Sequence, residues 1–221
     1  DIQQPADWIA WMRRQDPIVE GLSYSGAADQ NITYSALAKY LGVQNRVHTS
    51  FAEANEMNKS LEAVFRCPSD NLPQRPKYTD GPSGRGPFRY SYSINIYYAN
   101  PVFNFPGFSG GQRFDGTFSG KITSIRNPAE KVLFVCEDEL TIDDGVFSPN
   151  PNNWGTGQVN AVSARHTKQG TDLRNPTFTV SENKDALGNV AFADGHAEFF
   201  SRKDALRQRH TGSPSPDPDG F

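Results

Sequence analysis

The sequence predicts an α+β domain, with helices in the first third of the chain and a mostly antiparallel sheet after them. Before Cys67, apolar side chains recur every three or four residues, which is helical spacing. After Phe88 they alternate singly or form short continuous runs, which are the two patterns of β-strands. Near the end, Asp194-Gly195 stands between two apolar runs, a strong signal for a tight hairpin.

Three helices are predicted in the first part of the chain. Residues 1–14 carry an apolar stripe that includes two tryptophans, and Pro17 ends this helix. The second is capped by Asn31 or Thr33, ends at Leu41 and is followed by Gly42, at the position where a left-handed residue closes many helices. The third spans residues 51–64.

The remaining elements are predicted from the strand patterns. Residues 88–98 alternate Tyr and Ile with polar side chains, so they predict a strand, and residues 121–125 predict a short one. Residues 132–135 are continuously apolar, which predicts a central strand covered on both faces. A polar, irregular stretch over 138–188 separates it from the hairpin at 189–200.

The hairpin carries two finer predictions. Its two turn residues, Asp194 and Gly195, are both expected at positive φ, as in the commonest two-residue hairpin turn. Its buried surface is expected to comprise Val190, Phe192, Ala197, Phe199 and Phe200.

The chain is predicted to form one globular domain over 1–210, in which 202–209 form a helical turn. A flexible tail follows over 211–221, because these residues are rich in Pro, Ser, Gly and Asp. The net charge is −3, which gives no support to nucleic-acid binding. No apolar run reaches the roughly 18 residues that a membrane span requires.

The two cysteines, Cys67 and Cys136, do not form a CxxC pair, which argues against a thioredoxin-like or zinc-ribbon site. A disulfide between them would indicate an oxidising compartment. Two buried thiols are the alternative, since unpaired cysteines are often buried. The spacing leaves both interpretations open.

Four residues from separate segments are candidate metal ligands: Asp138, His166, Asp194 and His196. Carboxylates and imidazoles bind transition metals, and the acidic residues around Asp138 offer the oxygen ligands that Ca²⁺ prefers, although their spacing does not match an EF-hand. The alternative is structural, with Asp194 as a turn residue and His166 bonded to a loop carbonyl. No catalytic residue is predicted, because the serines lack a GxSxG setting.

Aromatic side chains in or near loops are candidate contacts for a sugar or a protein partner. Tyr97, Phe103 and Trp154 are the three we single out as binding residues. Packing in the core is the alternative for each.

Five segments together carry a resemblance: TYSALAKYLG, FRCPSD, RYSYSIN, NPAEKVLFVCED, and Arg165-His166 followed by NVAFADGHAEFF. In this order they resemble the soluble part of type IV pilin-like proteins, the pseudopilins of type II secretion. The likeness is greatest to the planctomycete-type group with a C-terminal histidine and Asp-Gly signature. Here more residues separate His166 from Asp194-Gly195 than in that group, which we interpret as an insertion over 168–187.

The resemblance implies a pilin-like fold, in which a long N-terminal helix packs on an antiparallel sheet. It implies a non-enzymatic structural subunit of a secretion or pilus-like filament, located in the cell envelope, periplasmic or extracellular. Its partners would be other pilin-like subunits and the assembly machinery, and an apolar helix encoded before Asp1 would hold it in the membrane. An envelope location favours the Cys67–Cys136 disulfide, and the family favours a Ca²⁺ or other divalent-metal site.

Two other functions are compatible with the same residues. One is a cell-surface module that binds glycans or proteins through its aromatic loops. The other is a metal-dependent hydrolase that uses the four candidate ligands, and it predicts a stoichiometric transition metal in the purified protein.

Overall fold

The computed structural model describes residues 37–42, 63–70, 90–99, 121–138, 141–142, 145–151, 160–166, 185–213 and 216–221. The chain divides into two compact units. Unit 1 comprises 1–91 with 142–145, and unit 2 comprises 92–141 with 146–221. The predicted boundaries, a domain over 1–210 and a tail over 211–221, stay a prediction.

Unit 2 contains a five-stranded sheet formed by β1 (Tyr92–Asn95), β2 (Val132–Cys136), β3 (Val146–Phe147), β4 (Leu187–Phe192) and β5 (Ala197–Ser201). The strand order is β3-β1-β2-β4-β5. The pairs β1–β2, β2–β4 and β4–β5 are antiparallel, and the two-residue β3 runs parallel to β1 at one edge. The prediction of an α+β chain with a mostly antiparallel sheet is confirmed.

Strand β2 lies at the centre of the sheet, as its continuous apolar run predicts. Val132 and Val135 are fully buried. They belong to a core cluster that also includes Phe147, Val162, Val190, Phe192, Ala205 and Leu206. Burial of such side chains contributes about 1.5–3 kcal/mol each, so this strand anchors the unit.

The strand predicted over 88–98 is shorter than expected, because a four-residue helix, α1 (Ile96–Ala99), follows β1. The side chain of Asn95 explains the change. Its Oδ1 accepts a hydrogen bond from the N–H of Tyr97 at 3.0 Å, as helix-capping residues do. Its Nδ2 donates to the carbonyls of Val132 at 2.9 Å and Thr211 at 3.0 Å, which fixes the turn in the core.

The strand predicted over 121–125 is wrong. Residues Ile122–Ser124 form a 3₁₀ turn, and the Ser124 hydroxyl donates to the Lys121 carbonyl at 2.7 Å. That local hydrogen bond offers the backbone an alternative to a strand. Ile122, which the prediction placed in the sheet, is 55% exposed.

The predicted hairpin is confirmed, but its turn is not the expected one. The N–H of Gly195 donates to the carbonyl of Phe192 at 3.0 Å, so Ala193 and Asp194 are the central residues of a β-turn. Gly195 has φ of 97°, whereas Asp194 is not at positive φ. This is the three-residue hairpin loop, a type I turn followed by a left-handed glycine.

The predicted buried surface of the hairpin is correct for β4 and partly wrong for β5. Val190 and Phe192 are buried, and Phe200 is partly buried against the core. Ala197 is exposed and Phe199 is 55% exposed, because successive side chains of a strand point to opposite faces and Phe200 lies on the face that packs on the core.

The helical turn predicted over 202–209 is confirmed as a 3₁₀ turn at Asp204–Leu206 and a short helix, α2 (Gln208–Thr211). The described part of the predicted tail packs on unit 2. Ser213 is buried, and the ring of Phe221 lies against the core cluster.

Unit 1 is described in two short stretches of helical structure. Ala38–Leu41 form a 3₁₀ helix closed by Gly42, whose φ of 74° confirms the predicted left-handed position. Residues 63–65 are helical, as expected at the end of the third predicted helix. The predicted helix over 1–14 lies outside the described residues.

Candidate functional site

The candidate site is the end of β2, where two acidic residues are completely buried. Glu137 and Asp138 follow the strand directly, and both are 0% exposed. The segment 160–166 runs alongside: the N–H of Asp138 donates to the Ala161 carbonyl at 2.8 Å, and the N–H of Ser163 donates to the Cys136 carbonyl at 2.7 Å. Buried carboxylates are costly unless they are hydrogen-bonded or paired with a charge.

Neutral donors surround the carboxylate of Glu137. It accepts hydrogen bonds from the Ser93 hydroxyl at 2.5 Å, the Thr141 hydroxyl at 3.1 Å and the Asn160 amide at 2.6 Å. Ser93 lies in β1, whereas Thr141 and Asn160 lie in the segments that follow β2 along the chain. Glu137 therefore connects the sheet to both of these later segments.

Asp138 is paired with Arg202, which follows β5. One guanidinium N–H of Arg202 donates to Asp138 Oδ2, and both side chains are 0% exposed. The Nε of Arg202 donates to the Val162 carbonyl at 2.9 Å. This buried ion pair joins the end of the central strand to the end of the hairpin, and one oxygen of the predicted metal ligand Asp138 is engaged by a cation.

Arg165, from the neighbouring segment 160–166, also bonds residues at the end of β2. Its Nη2 donates to the Glu137 carbonyl at 2.7 Å, and its Nη1 contacts the Sγ of Cys136 at 2.8 Å. The next residue, His166, is half-buried, with a ring nitrogen within 4.8 Å of that sulfur. His166 is thus placed at the end of β2.

Asp194 and His196 meet at the tip of the hairpin. Asp194 Oδ1 accepts a hydrogen bond from the N–H of His196 at 3.1 Å and lies 2.6 Å from its Nδ1. These bonds lower the pKa of the Asp194 carboxyl, the backbone bond first and the ring contact second. The ring of His196 stacks on Phe192 at 4.4 Å between centroids. Asp194 is therefore a turn residue bonded to its own loop.

The four predicted metal ligands thus lie in three different places in the structure. Asp138 pairs with Arg202, His166 lies near Cys136, and Asp194 binds His196. Within the described ranges, these four do not converge as one set of ligand atoms.

Of the three predicted binding residues, Tyr97 lies in a core cluster with Tyr98, Ile125 and Ala193. Tyr97 is only 8% exposed, and its hydroxyl bonds Ser213 at 3.2 Å. Its ring is therefore packed, contrary to the proposed role in binding a partner. Phe103 and Trp154 lie outside the described residues.

The CPSD motif of unit 1 has its own buried network. The hydroxyl of Ser91 donates to the carboxylate of Asp70 and accepts a hydrogen bond from the N–H of Cys67 at 3.0 Å. The N–H of Ser91 donates to the Phe65 carbonyl at 2.9 Å. Cys67 and Cys136 are both buried and lie in different units, and the disulfide between them stays a prediction.

Sequence reasoning missed the residues that complete these networks, namely Ser91, Ser93, Thr141, Asn160 and Arg202. One signal was available for the serines. They alternate with large apolar side chains in RYSYSIN, so strand period places them on one face, and a buried serine requires a partner. Nothing in the sequence pointed to Arg202 as a partner of Asp138, because the two residues lie 64 positions apart along the chain.

No protein-family model, curated protein or solved structure matches this chain. Among the described residues, none of the helices has both the length and the apolar character needed to cross a membrane.

Proposed function

We propose that this chain is the soluble part of a pilin-like subunit of the pseudopilin type, with a structural role and no catalytic site. The proposal includes assembly with other pilin-like subunits and their secretion or pilus machinery in the cell envelope. It also includes attachment to the membrane through an apolar helix encoded before Asp1.

One observation carries the proposal. The polar residues of the segments that resemble pseudopilins bind one another, or the backbone beside them, in buried networks. In unit 1, Asp70 of FRCPSD bonds Ser91 of RYSYSIN. In unit 2, Ser93 of RYSYSIN bonds Glu137 of NPAEKVLFVCED, and Arg165 bonds the carbonyl of that glutamate. Residues that bond one another inside the protein stabilise its fold, so we interpret this sequence signature as structural.

The Asp-Gly signature behaves in the same way. Asp194 accepts hydrogen bonds within its own loop, and Gly195 supplies the left-handed residue that this hairpin requires. Both residues are thus explained by the closing hairpin. The mostly antiparallel sheet is compatible with a pilin-like fold.

The reading frame upstream of Asp1 tests the proposal. We expect it to encode a prepilin peptidase site followed directly by an apolar helix of about 20 residues, the length that spans a bilayer. A frame that lacks both features would refute the pilin-like assignment.

The metal-dependent hydrolase makes the opposite prediction for purified protein. It requires a stoichiometric transition metal, whereas Asp138 already bonds a buried guanidinium. Elemental analysis of protein purified without chelator separates the two. We expect transition metal well below one equivalent, and one equivalent of transition metal lost on substitution of His166 would favour the hydrolase.

A further inference from the structure

Strand β5 forms one edge of the sheet, on the side opposite to β3. Two hydrogen bonds establish which of its residues bond β4. The N–H of Phe192 donates to the His196 carbonyl at 2.8 Å, and the N–H of Arg202 donates to the Ala186 carbonyl at 3.0 Å. Because an antiparallel ladder alternates, the even-numbered residues of β5 bond β4 and the odd-numbered residues point outward.

The outward main-chain groups belong to Ala197, Phe199 and Ser201. Neither Ala197 nor Phe199 makes an outward main-chain hydrogen bond to any residue that the structure describes. Phe199 is also 55% exposed. The edge therefore offers unpaired N–H and C=O groups beside an exposed aromatic ring.

Sheet edges of this kind are normally protected by proline, by charged side chains, lysine above all, or by a β-bulge. The residues 197–201, AEFFS, contain neither proline nor lysine, and Glu198 is their one charged residue. Their register against β4 is continuous from Leu187–Ser201 to Ala191–Ala197, without a bulge. A regular edge with this little protection is a template for another strand.

We propose that this edge binds β5 of a second copy of the chain, antiparallel and about a two-fold axis, with Phe199 opposite Phe199 of the second copy. Such an interface uses the same surface patch on both subunits. It would extend the sheet across the two copies and pair the two exposed rings on one face. Aromatic cross-strand pairs stabilise a sheet in addition to the main-chain bonds. This inference is independent of the pilin-like proposal, because it concerns only how two copies of this chain bind each other.

The side chains favour this register over its two nearest symmetric neighbours. Shifting the copies one way places Glu198 directly opposite Glu198 of the second copy, and like charges in that position destabilise. Shifting them the other way centres the pair on Phe200, whose ring is already engaged with Phe192 and His210 at 5.5 and 4.8 Å. The register centred on Phe199 avoids both conflicts.

The same arguments favour a second copy over an unrelated peptide, since the strand is complementary to itself. A pair of five-residue strands buries less than the roughly 1,200 Å² of a stable standard interface, so the dimer is expected to be weak. A dissociation constant between about 10 µM and 1 mM is the expected range.

Cysteine cross-linking of the whole chain tests the register. In a hydrogen-bonded antiparallel pair the Cα atoms lie about 5.5 Å apart, inside the range that a disulfide spans. Phe199→Cys is therefore expected to form a covalent dimer under mild oxidation. The matched control is Ser201→Cys, because two such cysteines would lie about 13 Å apart and remain unlinked. The unsubstituted chain gives the background level of covalent dimer that forms through Cys67 and Cys136.

Sedimentation equilibrium of the same chain from about 10 µM to 1 mM tests the association itself. Phe199→Pro removes an outward N–H without touching the bonds to β4, and Phe199→Lys places two like charges opposite each other. Both are expected to weaken dimerisation at least tenfold. Ile122→Lys is the matched control, since Ile122 is equally exposed at 55% and lies outside β5. It is expected to dimerise as the unsubstituted chain does.

Three results would overturn the proposal. They are a chain that stays monomeric at 1 mM and does not cross-link at 199, a dimer that both substitutions at 199 leave intact, and equal cross-linking at 199 and 201. If the proline variant does not fold, the lysine variant and the cross-linking experiment still test whether the proposed dimer forms.

Discussion

The buried pair of Asp138 and Arg202 makes the sharpest prediction about stability. Both side chains are 0% exposed, so neither charge can be solvated by water if its partner is removed. Asp138→Asn leaves the guanidinium of Arg202 buried without its counter-charge. Breaking a buried ion pair in this way costs about 3–5 kcal/mol.

The magnitude translates into a measurable shift in urea unfolding. For a chain of this size we take a slope of about 2–3 kcal/mol per M urea, so the midpoint should fall by roughly 1–2.5 M. The matched control is Asp204→Asn, because Asp204 and Arg207 form a partly exposed pair at 2.8 Å. Its loss should cost less than about 1 kcal/mol, or under roughly 0.5 M.

The double variant Asp138→Asn with Arg202→Met separates the ion pair from other effects of the substitutions. It removes both buried charges, so its unfolding free energy should return to within about 2 kcal/mol of the unsubstituted chain. If the cost of the double variant equals the sum of the costs of the two single variants within about 0.5 kcal/mol, the two side chains do not interact. A single variant as mild as the Asp204 control would refute the buried-pair reasoning outright.

Three further predictions concern the fold. Gly188→Ala should destabilise by about 3 kcal/mol or more in urea unfolding, because its Cβ would lie 2.0 Å from the Ser163 carbonyl oxygen; unchanged stability would contradict that packing. Gly195→Ala meets no neighbouring atom but occupies φ of 97°, so a smaller loss of roughly 1–2 kcal/mol is expected. Burial lowers the pKa of His210, whose Nδ1 bonds the Glu130 carbonyl, so its stabilising contribution is present above about pH 6.5 and is lost as the pH falls below it. His210→Gln should flatten that part of the pH profile, and an unaltered slope would exclude this histidine.

Elements fixed by local patterns could be predicted from the sequence. The apolar run over 132–135 predicted a central strand, and the structure places it there, although Leu133 and Phe134 are only partly buried. The Asp-Gly pair predicted the hairpin, because glycine was needed at one left-handed position. The type of turn could not be predicted, since it depends on whether Ala193 joins the loop.

Elements fixed by distant contacts could not be predicted. The pattern of alternating Tyr and Ile continued to Tyr98, but the side chain of Asn95 ends the strand by bonding Val132 and Thr211, which come from two other segments. The same applies to the candidate site. Asp138 has the chemistry of a metal ligand, and only its neighbour in space, Arg202, gives it a structural role.

The pilin-like proposal is tested most directly by the intact mass of the protein made from its full reading frame, in cells with and without a prepilin peptidase. With the peptidase, we predict a loss of mass equal to a leader that ends directly before an apolar segment of about 20 residues. An identical mass in both cells would contradict the proposal.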